Sequence, residues 1–432
     1  MHFATLAMFF SILGAGTNLC EESELRPLTS LEEAWALAED RSPMLTSLQM
    51  EEEAQQLEVR ALKRERFPDL MLLAEGDGGQ RISPSEERAL GPSVRGHLQA
   101  RGDWILFDSS YQARQETLQA ALLMASSRRE ARRSEERQEV SGALFWLLLA
   151  EKEVRYKEAQ KERLEPLLQA GFRRADAGVE PAGTRARLER KTRQIERDLQ
   201  EAYLSLSEAR AGLAIFTGQC FKIEEAEGLF DRLERRAGEP SRESGENVGG
   251  SAAPEIRVLL SQADTLDAEA RQVQRGDRFT ALAFGSAGLF ASRAYEQGVK
   301  PELFVGLSAR WRPDLFGVRS AQAATIEYRA SAAREQALGA QREAQEQAES
   351  LRYEAETLER ELRSLQEAME LQEQEVHRAR RRWEQGVSSW TEPLDALDEL
   401  ADLQARSLVL QGRQLQNLLL LAQIRGAFYD SE

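Results

Sequence analysis

Two stretches of the chain alternate apolar and polar residues over more than ten positions. In the first, residues 94–107, the apolar or small residues fall on every second position from Val94 to Leu106. The second, residues 301–312, has the same period, and Phe304 is its one break. A period of two predicts strands with one apolar and one polar face. At ~3.3 Å per residue and a tilt of ~40°, the first stretch covers roughly 35 Å of height, enough to cross the hydrocarbon layer of a bilayer.

Each long strand follows a shorter one, predicted at residues 70–76 and 279–289. The connections carry turn residues, Asp77-Gly78-Gly79 in the first and Gly298 and Pro301 in the second. The chain is therefore predicted to form two β-hairpins. A soluble sheet with one wet face would show the same alternation, so the pattern alone leaves both interpretations open.

Helical spacing fills most of the remaining chain. A first helix is predicted from Ser30 to about Arg66, with Ser30 and Glu33 as a capping box and a kink at Pro43. A long helix follows over 108–170, roughly 95 Å in length, and then a break and a return helix over 184–216. In the second half the predicted helices cover residues 254–276, 317–383 and 391–428.

The order of elements is the same in both halves, and matching residues support a duplication. Leu106-Phe107 recurs as Leu315-Phe316, 209 residues later, and Arg174-x-x-x-Gly178-Val179 recurs as Arg382-x-x-x-Gly386-Val387, 208 residues later. We therefore predict a first repeat over 30–218, a linker over 219–253 rich in glycine, proline and serine, and a second repeat over 254–428.

The second long helix carries an apolar seam in a 4,3 spacing from Ala344 to Val376, interrupted at Gln372. The return helix has a seam of its own from Leu394 to Ala422. This spacing is typical of coiled coils and predicts that the two helices pack antiparallel across the turn at Gly386.

Composition narrows the class of protein. Charged residues make up 30% of the chain, the mean hydropathy is -0.52, and the net charge of -16 disfavours nucleic acid as a partner. After the N-terminus no run of eighteen apolar residues occurs. Three histidines, no glycine-rich phosphate loop and no metal-ligand spacing predict no catalytic residue, no cofactor and no metal.

The N-terminus resembles an export signal. An apolar stretch, residues 3–13, precedes Gly14-Ala15-Gly16, which predicts a signal peptide over 1–19. Its first residues lack the usual lysine or arginine. Cys20 is a candidate lipidation site, but no small residue immediately precedes it, and we favour a plain cleaved signal. With two cysteines, a disulfide framework or zinc site is not predicted.

Four strands cannot close a barrel, and an open sheet edge in lipid would leave its N–H and C=O groups without partners. The chain is therefore expected to oligomerise. A dimer gives about eight strands and a trimer about twelve, and a wide lumen needs the larger number. Helices of ~100 Å attached to such a barrel would continue it as a tube.

From residue 30 to 428, this doubled order of elements resembles the TolC-like outer-membrane efflux protein family. The most specific local motif is the turn at Arg382 and Gly386, followed by a helix with Asp395-Ala396. Two departures are Phe316-Gly317-Val318, where Gly-Gly is usual, and Ser388, where some members have an arginine that locks the closed state.

The resemblance implies a mostly α-helical chain with membrane β-hairpins, assembled as a homotrimer. Such a trimer has a twelve-stranded β-barrel in outer-membrane lipid and an α-helical barrel in the periplasm. It works as a passive channel with a periplasmic adaptor (membrane fusion protein) and an inner-membrane transporter, in drug efflux or type I secretion in a Gram-negative cell. The exported substrate and the particular pump stay open.

The resemblance also assigns roles to residues. Arg174, Gly178, Arg382 and Gly386 would form the tip turns of the helical barrel. Four carboxylates on one helical stripe would form the channel constriction, although the same stripe fits a solvated outer face. The stripe consists of Glu392, Asp395, Glu399 and Asp402. The sequence pattern itself, and not the resemblance, predicts Trp104 and Trp311 at the membrane interface, because both lie on the apolar stripe close to the helix junction. Packing in a soluble core is the alternative.

Two other classes of protein fit parts of the pattern. A non-membrane coiled-coil scaffold would make the hairpins incidental. A periplasmic adaptor has one helical hairpin flanked by many more strands. The duplication disfavours both.

Overall fold

The structure is a computed structural model that describes residues 25–28, 30–82, 89–179, 183–223, 253–276, 278–292, 300–426 and 428. Side chains are not described over 76–97 and 290–300. The predicted signal peptide, Cys20 and most of the predicted linker lie outside the described residues.

The described elements follow the doubled order that the sequence predicts. The first repeat contains β1 (Arg26–Leu28), α1 (Leu31–Arg41), α2 (Pro43–Arg64), β2 (Asp69–Ile82), β3 (Ala89–Asp108), α3 (Tyr111–Asp176), α4 (Thr184–Thr217) and β4 (Phe221–Ile223). The second contains α5 (Pro254–Arg275), β5 (Phe279–Ser292), β6 (Lys300–Trp311), α6 (Val318–Glu384) and α7 (Thr391–Ile424). The strands of the first hairpin run longer than predicted, and α3 continues six residues past the predicted end.

The predicted first helix is two helices. α1 begins after Ser30, whose side chain accepts the Glu33 N–H at 3.1 Å, and it ends at Arg41. Pro43 is the first residue of α2, a position where the missing N–H and fixed φ of proline cost nothing. The Ser42 backbone is extended (ψ 112°), so the proline starts a new helix and does not kink an existing one.

The chain divides into two compact units. One comprises Thr46–Arg129 and Glu255–Gly339, and it holds a four-stranded sheet in the order β2-β3-β5-β6. All three pairings are antiparallel. Both predicted hairpins are therefore present, and they join through β3 and β5 into one sheet.

A β-bulge changes the facing of the last residues of β3. Ile105 is opposite Leu282 and Phe107 is opposite Ala281, which leaves Leu106 as the extra residue. The alternation in the sequence predicts that Leu106 follows Trp104 on the apolar face. Because of the bulge, Phe107 occupies that position instead. Phe107 packs beside Phe279, with ring centroids 5.7 Å apart.

The other unit contains Glu130–Pro254, Ala340–Glu432 and the chain up to Leu45. One of its two cores, which we call the Trp35 cluster, joins α1, α3, α4, β4 and α7. Trp35 donates its indole N–H to the Arg137 carbonyl at 3.1 Å and packs edge-on against Phe428. Arg137 is buried and forms an ion pair with Glu39 at 2.6 Å. The fully buried leucines of this cluster are Leu144, Leu147, Leu148, Leu213 and Leu415.

The second core, the turn-end cluster, brings together helices of both repeats. It contains leucines of α3, Leu188 and Ile195 of α4, Val376 and Ala379 of α6, and five residues from Trp390 into the first turns of α7. The predicted pairing of α6 with α7 is confirmed. Gln372, which interrupts the seam, donates its amide N–H to the Ala396 carbonyl at 2.9 Å, so this polar residue still binds α6 to α7.

A short parallel pair, β1 with β4, was not predicted. Arg26 is opposite Phe221 and Leu28 is opposite Ile223. β4 lies in the predicted linker, whose first residues are therefore ordered against the N-terminal strand. Three-residue strands show too little periodicity to be found in a sequence.

Candidate functional site

One face of the four-stranded sheet is apolar across all strands. Leu72, Ala100, Ala287 and Leu303 form one row across the four strands. Leu70, Gly102, Gly285 and Val305 form the next row. The outer strands expose this face strongly: Leu70, Leu72, Leu303 and Leu307 are 80–83% exposed. Large apolar surfaces of this kind mark contact with lipid or another protein.

The opposite face of the sheet is mixed. Arg101 pairs with Asp103 at 3.0 Å, and its guanidinium lies 5.8 Å from the Phe284 ring centroid. Phe304, the break in the predicted alternation, packs against Phe284 with centroids 5.5 Å apart. Gly306 makes room for this pair, because a Cβ there would stand 2.6 Å from the Phe284 ring. The exception in the sequence is thus one half of a cross-strand aromatic pair.

The two candidate interface tryptophans differ in their surroundings. Trp104 is half exposed and donates its indole N–H to the Arg66 carbonyl at 3.0 Å. The Arg66 guanidinium in turn stacks on the Tyr111 ring, 4.1 Å from its centroid. Trp311, on the outer strand β6, is 72% exposed. Both lie on the apolar face near the start of a long helix.

The two predicted tip turns have the same backbone. Gly178 and Gly386 adopt positive φ values of 70° and 74°. Val179 donates its N–H to the Arg174 carbonyl at 3.1 Å, and Val387 donates to the Arg382 carbonyl at 2.9 Å. With the bonds from Gly178 to Ala175 and from Gly386 to Trp383, each turn is a Schellman motif. The Arg-x-x-x-Gly-Val motif therefore matches the Schellman motif position by position: the arginine carbonyl accepts from the valine N–H, and the glycine takes the positive φ.

The four carboxylates of the predicted constriction divide into two groups. Asp395, Glu399 and Asp402 are exposed on α7, and the described part of the chain gives them no ion pair. Glu392 is half buried and pairs with Arg382 at 2.9 Å. The structure thus joins one residue of the acidic stripe to one residue of a tip turn.

Sequence reasoning missed two features of this region. Asp398, one position beside the acidic stripe, pairs with Lys191 of α4 at 2.5 Å and so connects the two repeats. Trp390, directly before α7, is 7% exposed and belongs to the turn-end cluster. Trp390 could have been found as a large apolar residue at the start of an amphipathic helix. The Lys191–Asp398 pair could not, because it joins residues two hundred positions apart.

Two kinds of feature are absent from the described residues. None of the helices there is long and apolar enough to cross a membrane. Within the same residues, no group of three or more histidine, cysteine or acidic side chains could hold a metal ion.

Known proteins resemble this chain in structure and not in sequence. No family model and no curated protein sequence matches the chain. Solved structures do match. VceC, an outer-membrane protein of Vibrio cholerae, is 18% identical with a TM-score of 0.71, and the match covers 92% of this chain and 96% of VceC.

Two further channels match over similar lengths. The outer-membrane channel CmeC of Campylobacter jejuni is 11% identical with a TM-score of 0.72, covering 96% of this chain and 92% of CmeC. The open state of the outer-membrane channel MtrE of Neisseria gonorrhoeae is 18% identical with a TM-score of 0.68, and the match covers 92% of this chain and 88% of MtrE. The fold that the sequence resemblance implied is thereby confirmed: nearly the whole chain is folded as these outer-membrane channels are.

Proposed function

We propose that the protein is the outer-membrane exit duct of a tripartite efflux or type I secretion system, a passive channel and not an enzyme. The observation that carries this proposal is the four-stranded sheet, whose apolar face continues from β2 to β6. On the two outer strands, Leu70, Leu72, Leu303 and Leu307 of this face are 80–83% exposed. Burying this face in lipid removes the apolar surface from water, at about 25 cal/mol per Å². The fold shared with outer-membrane channels supports the same conclusion.

The sheet needs further copies of the chain to become a barrel. β2 and β6 are its outer strands, and their outward N–H and C=O groups cannot remain without partners in hydrocarbon. Pairing β6 of one copy with β2 of the next satisfies both edges, and a closed ring removes every edge. Three copies give a twelve-stranded barrel wide enough for a lumen.

Partners follow from this assignment. A duct with no energy source of its own needs an inner-membrane transporter and a periplasmic adaptor to deliver substrate. The turns at Gly178 and Gly386 are the parts of the helices that would meet them. Val179 and Val387, at these turns, are 67% and 73% exposed, so each offers an apolar contact.

We place the constriction at Asp395, Glu399 and Asp402. In a threefold assembly each carboxylate becomes a ring of three, which concentrates cations and excludes anions. Glu392 belongs to the same stripe, but its pairing with Arg382 neutralises it locally. The channel function thus depends on these particular side chains as well as on the fold.

The first test is the assembly itself. The full-length protein, expressed with its own N-terminus in a Gram-negative host, is fractionated and extracted in detergent. We expect it in the outer membrane with a protein mass of three chains. Quenchers attached to lipid should reduce the fluorescence of Trp104 and Trp311 in single-tryptophan variants, and should spare Trp35, which is buried in the Trp35 cluster. A monodisperse soluble monomer would overturn the proposal.

The second test is conductance in planar bilayers. The variant Asp395→Ala, Glu399→Ala, Asp402→Ala should lose cation selectivity and block by multivalent cations. The matched control removes three exposed carboxylates elsewhere, Glu343, Glu346 and Glu349 of α6, and so changes net charge equally. Equal effects from both triple variants would show that the stripe on α7 is not the constriction.

A further inference from the structure

In the four-stranded sheet the two repeats meet where β3 pairs with β5, and two phenylalanines pack together there. The ring of Phe107, near the end of β3, has its centroid 5.7 Å from that of Phe279, the first residue of β5. The Ser109 N–H donates to the Phe279 carbonyl at 3.0 Å, and the Phe279 N–H donates to the Ser109 hydroxyl at 3.1 Å. This junction shows how the last strand of one repeat fits the first strand of the other.

Both phenylalanines have counterparts in the other repeat. Leu106-Phe107 recurs as Leu315-Phe316, 209 residues later, and Arg66-Phe67 recurs as Arg278-Phe279, 212 residues later. Phe316 therefore corresponds to Phe107, and Phe67 corresponds to Phe279. All four phenylalanines belong to the same compact unit.

The two counterparts, Phe67 and Phe316, cannot meet within one chain. Phe67 precedes the outer strand β2, and Phe316 follows the outer strand β6. Three strand spacings of about 4.8 Å separate these strands, a width of roughly 14 Å. Any partner for either ring on the outer side of its strand must therefore come from another molecule.

The exposure of the four rings differs accordingly. Phe107 and Phe279, which pack on each other, are 54% and 39% exposed, whereas Phe67 is 71% and Phe316 91% exposed. Among the described side chains, neither Phe67 nor Phe316 forms an aromatic pair. Exposed aromatic residues at both edges of one sheet indicate a contact surface.

We propose that Phe316 of one chain packs against Phe67 of the next, and so repeats between copies the contact that Phe107 makes with Phe279 within one copy. This contact rests on the proposed function, because it needs β6 of one copy to pair with β2 of the next. In a closed ring, that junction again joins the last strand of one repeat to the first strand of the other. The partner of this surface is therefore a second copy of the chain.

The two junctions differ in their hydrogen bonds. The position 209 residues after Ser109 is Val318, which has no hydroxyl and is 57% exposed. The bond that Ser109 accepts from Phe279, and the one that it donates to the Gly276 carbonyl at 3.0 Å, have no side-chain counterpart at the second junction. The contact between copies thus depends more on its apolar side chains, with Leu315, 77% exposed, beside Phe316.

The test replaces Phe316 with the photoreactive analogue p-benzoylphenylalanine in the full-length protein and irradiates the protein in its membrane. The analogue keeps the aromatic ring and bonds only to a group in direct contact with it. We expect products of two and three chain masses on denaturing gels. Mass spectrometry should find the new bond in the tryptic peptide that begins at Phe67. The reciprocal variant, with the analogue at Phe67, should label the peptide that contains Phe316.

The matched control carries the same analogue at Phe107. It should react with the tryptic peptide that begins at Phe279 and give a product of one chain mass, because these two residues meet within a single chain. Counterpart positions should therefore differ in whether the new bond joins one chain or two.

Alanine variants supply a second measure that does not use the analogue. Phe67→Ala and Phe316→Ala should each lower, by several degrees, the temperature at which the trimer separates into single chains in SDS. Because the two rings contact each other, the double variant should fall no further than the more affected single variant. Additive losses would show that the rings do not meet.

Other photoproducts overturn the contact and can be told apart. A lipid adduct at both positions would show that lipid, and not a second copy, covers these rings. Products of one chain mass would show a contact within the chain, and no product at position 316, where position 107 reacts, would show an uncovered ring. If any of these occurs in an outer-membrane trimer, the exit duct stands and only the phenylalanine pair fails. A monomer that stays out of the membrane would overturn both.

Discussion

The two helix–helix turns share a backbone but lead into different surroundings. Both end a long helix in the same Schellman motif, at Gly178 and at Gly386. After the first, the residue that precedes α4 is Gly183, which has φ 93° and open space where a side chain would stand. After the second, the residue that precedes α7 is Trp390, which is buried in the turn-end cluster. The two repeats therefore share the same helix end, but they differ in the residue that anchors the return helix.

This difference assigns unequal roles to the two return helices. α7, with Trp390 at its start, contributes five buried residues to the turn-end cluster, whereas α4 contributes two. α7 also carries the acidic stripe, so the carboxylates of the stripe lie on the return helix that has more buried residues. The pair Lys191–Asp398 then ties α4 to α7. Both repeats therefore contribute to the core at this end, and α7 supplies more of it than α4 does.

Replacing Trp390 with alanine should have the largest effect. Loss of a buried tryptophan leaves a cavity and costs about 3 kcal/mol or more of unfolding free energy. Urea unfolding of the detergent-extracted protein, followed by circular dichroism, measures the loss. Trp146 is the matched control: it is 55% exposed on α3, and its alanine variant should lose less than about 1 kcal/mol. Equal losses would show that Trp390 does not anchor α7.

Alanine at Gly178 or Gly386 should destabilise the protein by about 1 kcal/mol each. Both glycines have positive φ, and a Cβ added to either would meet no atom within 4 Å, so the cost is purely conformational. The two costs should agree if the turns are true equivalents. Gly339 lies inside α6, also in open space, and its alanine variant should gain about 0.5–1 kcal/mol. Unequal costs at the two turns, in the same unfolding assay, would contradict their equivalence.

Arg382→Gln should alter conductance more than stability. The Arg382–Glu392 pair is partly exposed and is worth at most about 1 kcal/mol. Its removal frees the Glu392 charge, so cation selectivity in planar bilayers should rise. Arg380→Gln breaks the neighbouring pair with Glu384, 3.0 Å, at the same change in net charge. If both variants shift selectivity equally, Glu392 acts only through the overall charge.

The smallest effect is expected at Glu139 of α3. Burial raises the pKa of Glu139 above its ordinary value, and Arg132, 3.7 Å away, only partly opposes this. In α6 the position 209 residues later is Ala348, so the second repeat has no such charge. The folded protein binds the Glu139 proton more tightly than the unfolded protein does. The free energy of unfolding therefore falls as the pH rises from the pKa of Glu139 in the unfolded state to its higher pKa in the folded state.

Glu139→Gln should therefore raise the free energy of unfolding at pH 7 by a few tenths of a kcal/mol, seen as a slightly higher melting temperature. Near pH 4 the melting temperature should not change. Glu135→Gln is the control, since Glu135 forms the shorter ion pair with Arg132, 2.9 Å, and its loss should not stabilise the protein. A gain at pH 4 as large as at pH 7 would exclude titration of Glu139 as the cause.

Long periodic segments were predictable because each repeats one physical requirement many times. Alternation in β3 and β6 and the 4,3 seam of α6 each extend over ten or more residues, so single exceptions did not obscure them. The boundaries were less accurate. The bulge at Leu106 and the separate start of α2 at Pro43 depend on one residue each, and a single position gives no period to detect.

By itself the sequence determined the duplicated order of elements, the two-faced strands and the spacing of both turns, because local periodicity and glycine conformation specify these directly. Tertiary structure decided which residues meet: Glu392 with Arg382, Lys191 with Asp398, and Trp390 with the turn-end cluster. It also paired β1 with β4, beside Cys220. Such contacts join positions far apart in the chain, and their energies depend on distances and burial that arise only when the helices pack.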